Sequence, residues 1–144
     1  MKYQVLLLVF LSLSISYASA QNNHGAKLKF EEEVHDFGIL KRGPVAPFTF
    51  KFTNTGDDAL IIMGVSPSCG CTNVTWTKQP IPPGKTGEIN LSLKTEEQHG
   101  IFNKEVYIQS NAINNPHGEK RYTLYIKGDA RDANKMNTSK KKRK

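Results

Sequence analysis

Stretches in which apolar and polar residues alternate one by one recur along the middle of this chain, and they constrain its fold more than any other feature. The pattern occurs at residues 48–54, 88–94, 105–109 and 121–127. A period of two is typical of a β-strand with one face in the core and the other in water. No stretch shows sustained helical spacing, and residues 95–99 form at most one helical turn. The chain is therefore predicted to be all-β.

The segments between these runs have the composition of turns. Residues 54–58 read Asn-Thr-Gly-Asp-Asp, residues 80–84 read Pro-Ile-Pro-Pro-Gly, and residues 111–118 form a longer polar loop. Residues 60–63 are continuously apolar, which predicts a strand buried on both faces or a switch between two sheets. About seven to eight short strands at this spacing indicate an immunoglobulin-like β-sandwich, which we place at residues 27–130.

The first twenty residues have the pattern of an export signal. Lys2 supplies the positive start, residues 5–13 are almost unbroken apolar residues, and Ala18-Ser19-Ala20 is a small-residue cleavage site. We expect the mature chain to start after this segment, to be periplasmic or secreted, and to contain no transmembrane segment. Residues 21–26 are predicted to be a flexible N-terminal segment.

The net charge of +7 is concentrated at the C-terminus. Residues 21–134 contain 13 Lys/Arg and 13 Asp/Glu, so the body is neutral, whereas residues 135–144 contain six basic residues. We predict that residues 131–144 are a disordered basic tail. Two roles stay open for it: weak attraction to an anionic surface such as lipid headgroups or cell-envelope polymer, or solubility alone. No nucleic-acid partner is expected for an exported chain.

The two cysteines, Cys69 and Cys71, are separated by one glycine. This spacing excludes the long-range inter-sheet disulfide of antibody domains. In an extended strand their β-carbons would lie roughly 7 Å apart, whereas a disulfide needs about 3.5–4.5 Å, so the backbone has to curl. Gly70 is expected to permit the curl through an unusual φ angle. Trp76, on the next extended segment, is expected to pack in the core or between the sheets.

Three roles stay open for the cysteine pair: a structural turn, thiol redox chemistry, or coordination of a metal ion. A three-residue disulfide ring adds only about 1.5 kcal/mol to the stability of the fold through loop entropy. The bond would therefore stabilise the fold little, and it is a candidate for thiol exchange. Two thiolates suit a soft ion such as Cu(I). Zinc would need two further ligands from His35, His99, His117 or a second chain, but these histidines show no metal-binding spacing. No metal ion or other cofactor is predicted.

Several segments resemble a family of exported bacterial domains of unknown function, DUF1573. The resemblance spans the whole predicted sandwich and is carried by Phe37-Gly38, by residues 50–56, 65–72, 81–84 and 125–128, and by Gly87. Its most specific part is the string Ser-Cys-Gly-Cys-Thr at residues 68–72. The resemblance implies an immunoglobulin-like fold akin to the Hydin and major-sperm-protein domains, which serve as interaction modules, and no established enzymatic activity.

Nothing in the sequence places a nucleophile, a base and an oxyanion donor together, so no enzyme and no catalytic residue is predicted. We expect an exported, non-catalytic β-sandwich that binds a protein or a cell-envelope component. The alternative is a thiol-redox or soft-metal-binding protein that uses Cys69 and Cys71.

Overall fold

A computed structural model describes residues 24–116 and 121–132 of the chain. Its eight strands and one short 3-10 turn (Thr95–Glu97) confirm the prediction of an all-β fold with about seven to eight strands. The strands, in chain order, are β1 (Leu28–Phe30), β2 (Val34–Lys41), β3 (Val45–Asn54), β4 (Ile62–Pro67), β5 (Thr72–Trp76), β6 (Thr86–Lys94), β7 (Gly100–Ser110) and β8 (Tyr122–Arg131).

The strands form two four-stranded sheets that pack face to face. The first sheet has the order β1-β3-β6-β5, and the second has the order β2-β8-β7-β4. All neighbours are antiparallel except β2 and β8, which run parallel. The chain passes between the sheets at five connections: β1–β2, β2–β3, β3–β4, β4–β5 and β6–β7. Two of these connections, β1–β2 and β4–β5, join an edge strand of one sheet to an edge strand of the other.

The core lies between the sheets and is built by the alternating runs. In β3, Phe50 and Phe52 are fully buried, whereas Lys51 between them is exposed. The same alternation holds in the other three runs, which lie within strands except that β8 begins at Tyr122, one residue after the predicted start. The inward residues are Ile89, Leu91, Leu93, Val106, Ile108, Tyr122, Leu124 and Ile126. Burial of one face of each strand is the main force that holds the two sheets together.

The apolar run at residues 60–63 is not buried on both faces, so that interpretation is wrong. Leu60 and Ile62 are buried, but Ile61 is 41% and Met63 is 61% exposed. Leu60 forms an isolated bridge with Ile81, and β4 of the second sheet begins two residues later. The run therefore serves as a switch between the two sheets, which was the alternative prediction. Its buried and exposed residues alternate as they do in the other strands.

Both predicted terminal segments lie partly outside the described residues. Of residues 21–26, the structure describes the last three: Ala26 is 2% exposed and accepts a hydrogen bond from the Ile113 amide at 2.9 Å. At the other end, Arg131 is the last residue of β8, and residues 133–144 are not described. The predicted signal, residues 1–20, is not described either. Among the residues that the structure covers, no helix has the length and apolar character needed to cross a membrane.

Candidate functional site

Cys69 and Cys71 lie in the segment that connects the second sheet to the first. Only residues 68–71 separate the end of β4 from the start of β5. The two sulfurs are joined in a disulfide, and the two Cα atoms are 5.2 Å apart. This separation is shorter than in an extended strand and falls in the range of about 4.4–6.8 Å that disulfides require. The backbone therefore curls in the connection from β4 to β5, which brings the two cysteines close enough for a disulfide.

Gly70 does not supply this curl through a left-handed backbone, so the sequence-based explanation is wrong. The described glycines with positive φ are Gly25, Gly38, Gly43, Gly84 and Gly100. A β-carbon built on Gly70 would meet no atom within 4 Å. The turn is formed with ordinary φ values, and its outer side is open to solvent.

Both ends of the crossing segment are fixed by backbone hydrogen bonds. The Ser68 amide donates to the carbonyl of Glu105 on β7 at 2.8 Å, and the Glu105 amide donates to the Ser68 hydroxyl at 3.1 Å. On the other side, the Lys94 amide of β6 donates to the Cys71 carbonyl at 2.9 Å. The cysteines are therefore anchored to both sheets by contacts that do not involve the sulfur–sulfur bond.

The two cysteines differ in their access to solvent. Cys71 is 5% exposed and belongs to the core, whereas Cys69 is half-buried and packs against the core from outside. The hydroxyl of the buried Thr72 lies 3.9 Å from each sulfur. Cys69 is thus the more accessible cysteine of the pair, and one hydroxyl group lies near both sulfurs.

The histidines considered as zinc ligands are not brought to the cysteines. The ring of His35 stacks on Phe48 on the opposite side of the sandwich. His99 lies beside Arg42, with Nε2 3.3 Å from Nη2. His117 lies outside the described residues. In the described part of the chain, no group of three or more His, Cys, Asp or Glu side chains could hold a metal ion.

Trp76 packs between the sheets, as predicted. Its half-buried ring on β5 contacts the core, and its indole N–H donates to the Ile62 carbonyl on β4 at 3.3 Å. The Lys78 ammonium lies 3.0 Å from the ring centroid. Because β4 and β5 are the edge strands at this side, Trp76 links the two sheets near the cysteine turn.

A second surface, which the sequence does not reveal, lies at the opposite side of the sandwich. There β2 is the edge strand of the second sheet. Facing it, β1 pairs only with the last three residues of β3, so no described strand pairs with residues 45–50 of β3 on that side. Between these two edges, the rings of His35 and Phe48 stack with centroids 3.4 Å apart, and Phe37 lies edge-on to the imidazole at 4.6 Å. We call this region the β2–β3 opening.

The outer face of the second sheet carries exposed apolar groups next to this opening. Ile39 of β2 and Ile101 of β7 both pair with Asp129 of β8, so the three residues form a row across the sheet. Ile39 is 57% and Ile101 is 86% exposed. A surface cavity of about 300 Å³ lies along this row and is also lined by Phe102 and Lys127.

Charged groups surround the start of β2. Glu31, Glu32 and Glu33 precede the strand and are exposed, as is Asp36 within it. The Lys127 ammonium lies 3.7 Å from the Asp36 carboxylate. The N-terminal end of the β2 edge is therefore acidic.

Asparagine side chains extend the strand pairing at two places, and one of them covers an edge of the sandwich. Asn114 forms hydrogen bonds with both backbone groups of Leu28 on β1. Asn111 accepts from the Ile61 amide at 2.8 Å and donates to the Ala59 carbonyl at 2.9 Å, just before β4. Asn114 thus replaces a neighbouring strand on β1, whereas Asn111 continues the pairing of β7 with the segment before β4. Among the described residues of β2, the Gly38 amide is bonded to the Asp36 carboxylate at 2.8 Å.

This architecture defines the chain as an immunoglobulin-like β-sandwich domain whose described residues place a disulfide turn at one side and an open strand edge at the other. The chain belongs to the family described as "Protein of unknown function (DUF1573)", whose model matches residues 28–130. The family resemblance noted from the sequence is thereby confirmed. No curated protein sequence matches the chain.

Several solved structures share the fold. A protein of unknown function from Porphyromonas gingivalis W83 aligns with a TM-score of 0.64 at 13% identity, over 79% of this chain and 51% of that one. The VesB protease of Vibrio cholerae aligns with a TM-score of 0.58 at 20% identity, over 72% and 32%. The ASH/PapD-like domain 7 of human CEP192 aligns with a TM-score of 0.55 at 9% identity, over 76% and 88%.

These likenesses show the fold alone. The chain spans about half of the Porphyromonas gingivalis chain and about a third of the VesB chain. It spans most of the human PapD-like domain. The three matches therefore agree with an immunoglobulin-like sandwich fold, and they assign the chain no activity, since one sandwich fold serves many functions.

Proposed function

We propose that this chain is an exported, non-catalytic binding module that adds an extended segment of a partner protein to the free edge of β2. The observation that carries the proposal is that β2, eight residues long, has a strand neighbour on one side only among the strands that the structure describes. An unpaired edge offers a row of amide and carbonyl groups, which a partner strand can use for main-chain hydrogen bonds.

The surroundings of β2 favour an occupant with alternating side chains. Side chains of an added strand would point by turns to the outer face, where Ile39 and Val34 are exposed, and into the β2–β3 opening, where Phe37 and Phe48 are half-buried. Burial of these apolar groups would supply binding energy, while the backbone ladder would supply alignment. We infer that the partner segment is apolar at alternate positions.

The charges near β2 favour a basic partner segment. Among the described residues, the four acidic groups at the start of the strand, from Glu31 to Asp36, have only Lys127 and His35 as basic partners, each at 3.7 Å. A Lys or Arg in the segment that docks beside Val34 would find a complementary surface, which increases the association rate and fixes the direction of the added strand.

A peptide-display selection on the purified chain tests this function. We expect enrichment of extended peptides in which apolar residues alternate and a Lys or Arg stands at one end. Ile39→Lys is expected to weaken the affinity for a selected peptide at least tenfold, which corresponds to about 1.4 kcal/mol of binding free energy. Ile61→Lys is the matched control, because Ile61 is similarly exposed and its amide is already bonded to Asn111. If the selected peptides bind both variants as tightly as they bind the original chain, the proposed site is refuted.

Export remains part of the proposal and has its own test. The pattern at residues 1–20 supports cleavage after Ala20. The intact mass of the chain recovered from its producing cells is expected to correspond to a start at Gln21. Recovery of the chain with residues 1–20 attached, in the fraction that contains cytosolic proteins, would contradict export.

A further inference from the structure

The path of the crossing segment from β4 to β5 is fixed by hydrogen bonds that do not depend on the disulfide. Its ends are held by the hydrogen bonds of Ser68 to Glu105 and of Lys94 to Cys71. The path of the chain is thus set by both sheets. If the disulfide opened, these contacts would keep the two thiols close together and ready to close again.

We propose that Cys69 and Cys71 form a reversible thiol–disulfide exchange site for a dithiol of another protein, with Cys69 as the attacked sulfur and Cys71 as the leaving group. The assignment follows from the difference in burial. Cys69 is half-buried beside the open side of the turn, whereas Cys71 is 5% exposed. An incoming thiolate reaches the accessible sulfur, and access decides which sulfur of a disulfide is attacked.

The exchange is balanced without any further reactant. A partner thiolate attacks Cys69 Sγ, a mixed disulfide forms, and the bond to Cys71 Sγ breaks as Cys71 leaves as a thiolate. The partner's second thiolate then attacks the partner sulfur of the mixed disulfide. This step closes a disulfide within the partner and releases Cys69 as a thiolate. Two electrons pass from the partner dithiol to the pair, and the two protons lost by the partner thiols end on Cys69 and Cys71. The reverse sequence reduces a partner disulfide.

Thr72 is placed to assist the leaving group. Its hydroxyl lies 3.9 Å from Cys71 Sγ and from Cys69 Sγ, so one small rotation directs the O–H toward whichever sulfur carries the charge. A hydrogen bond to the charged form of a group favours that form. Thr72 is 3% exposed, so water competes little for this hydroxyl. We assign Thr72 as a positioning residue that stabilises the departing thiolate.

Glutathione serves as the probe for the exchange. The purified full chain is equilibrated in buffers of reduced and oxidised glutathione, and the dithiol form is counted by alkylation and intact mass. We expect both forms to be populated within the accessible range of glutathione ratios and to interconvert reversibly. We also expect the reduced chain to keep its folded circular dichroism spectrum, because the crossing segment is anchored independently of the bond. A disulfide that stays closed in excess reduced glutathione, or a chain that unfolds when reduced, would show a structural bond and overturn the proposal.

Single cysteine variants test the assigned roles. In Cys71→Ser, the remaining Cys69 is expected to form a mixed disulfide with oxidised glutathione about tenfold faster than Cys71 does in Cys69→Ser, since exposure controls access. Equal rates would overturn the assignment of Cys69. If either variant fails to fold, the rates of alkylation of the two thiols in the reduced original chain, separated by peptide mapping, give the same comparison.

The role of Thr72 has its own readout. Thr72→Val is expected to slow the opening of the disulfide by a small thiol about threefold or more, and Thr72→Ser is expected to restore the rate, since the serine retains the hydroxyl. Equal slowing in both variants would point to packing instead and would remove Thr72 from the mechanism. The exchange and the docking at β2 lie at opposite sides of the sandwich, so each can fail while the other stands.

Discussion

The side chain of Asn114 holds Leu28 by both of its backbone groups. The Leu28 amide donates to Asn114 Oδ1 at 2.8 Å, and Asn114 Nδ2 donates to the Leu28 carbonyl at 2.9 Å. One amide side chain thus makes the pair of hydrogen bonds that a neighbouring strand would make with β1. This covers the outer edge of a strand of only three residues and leaves it unavailable for pairing with other chains.

Removal of this cover should loosen β1 while leaving the rest of the sandwich in place. We expect Asn114→Ala to lower the free energy of unfolding by about 1–2 kcal/mol, because two backbone groups lose their partners. The amide of Leu28 should exchange its hydrogen faster than in the original chain. Asn103→Ala on β7, where the asparagine is exposed, is the control and should change stability by less than about 0.5 kcal/mol. Urea unfolding and amide hydrogen exchange make the comparison; unchanged exchange at Leu28 would contradict it.

Asn54 should contribute more than Asn114, because it is fully buried and makes four hydrogen bonds. Its Nδ2 donates to the carbonyls of Asp58 and Ile81, and its Oδ1 accepts from the amides of Gly56 and Lys27. We expect Asn54→Ala to cost about 2–4 kcal/mol, because each buried group left without a partner is penalised.

A stepwise variant and a control separate the parts of this network. Asn54→Asp keeps the two acceptor contacts but loses both donors and brings a carboxyl group against two carbonyl oxygens, so it should destabilise the fold as well. Asn90→Ala, which removes an exposed contact to Thr49 at 2.7 Å, is the control and should cost less than about 1 kcal/mol. Thermal unfolding of the four proteins gives the order, and an Asn54→Ala protein as stable as Asn90→Ala would refute the network's importance.

Substitution by alanine should destabilise the fold strongly at Gly56 and hardly at all at Gly70. A β-carbon on Gly56 would lie 2.1 Å from the Gly25 carbonyl oxygen and 2.5 Å from the Lys27 amide, so the backbone itself has to move. We expect Gly56→Ala to cost more than about 3 kcal/mol. Gly70→Ala places its β-carbon in open space with ordinary φ and should change stability by less than about 0.5 kcal/mol. Denaturant midpoints measure both, and a strongly destabilised Gly70→Ala protein would mean that the cysteine turn needs glycine.

The sequence predicts the sandwich well because its strands face water on one side. In β3 and β6 this alternation is visible residue by residue, and the predicted runs lie within the observed strands. The disulfide turn is also recognisable, since two cysteines one residue apart have few structural options. The explanation through Gly70 fails because the backbone curls at the junction of two strands that already lead into different sheets, and no left-handed residue is required there.

The β2–β3 opening could not be predicted, because it depends on pairing between distant segments. β2 is interrupted by an irregularity between Asp36 and Ile39, which breaks the alternation, and its parallel partner β8 is about ninety residues away. The strand-like contacts of Asn111 and Asn114 are likewise long-range, and a polar loop composition gives no sign of them. The cluster of asparagines in residues 111–115 is the only local signal that could have suggested a capping role.

The buried phenol of Tyr122 should make the stability of the fold sensitive to alkaline pH. Burial, and then a hydrogen bond that its hydroxyl donates to Glu33, raise the pKa of Tyr122 well above its ordinary value. The folded state therefore favours the neutral phenol. Its contribution to stability is complete below the pKa of an unfolded tyrosine, which is about 10, and it declines as pH rises above that value.

We therefore expect the free energy of unfolding to fall between pH 9.5 and pH 11.5, with a slope for this group that approaches about 1.4 kcal/mol per pH unit. Tyr122→Phe should be less stable near neutral pH, because Glu33 loses a donor, yet it should lose less stability over the alkaline range, because phenylalanine cannot ionise. Tyr125→Phe on the same strand is the matched control, and urea midpoints at each pH give the slopes. A Tyr122→Phe protein whose stability declines as steeply as that of the original chain would show that another group governs the alkaline response. Since β1 and β2 are joined through Glu33, a weakened contact to Tyr122 should also raise hydrogen exchange at that crossing before the sandwich unfolds as a whole.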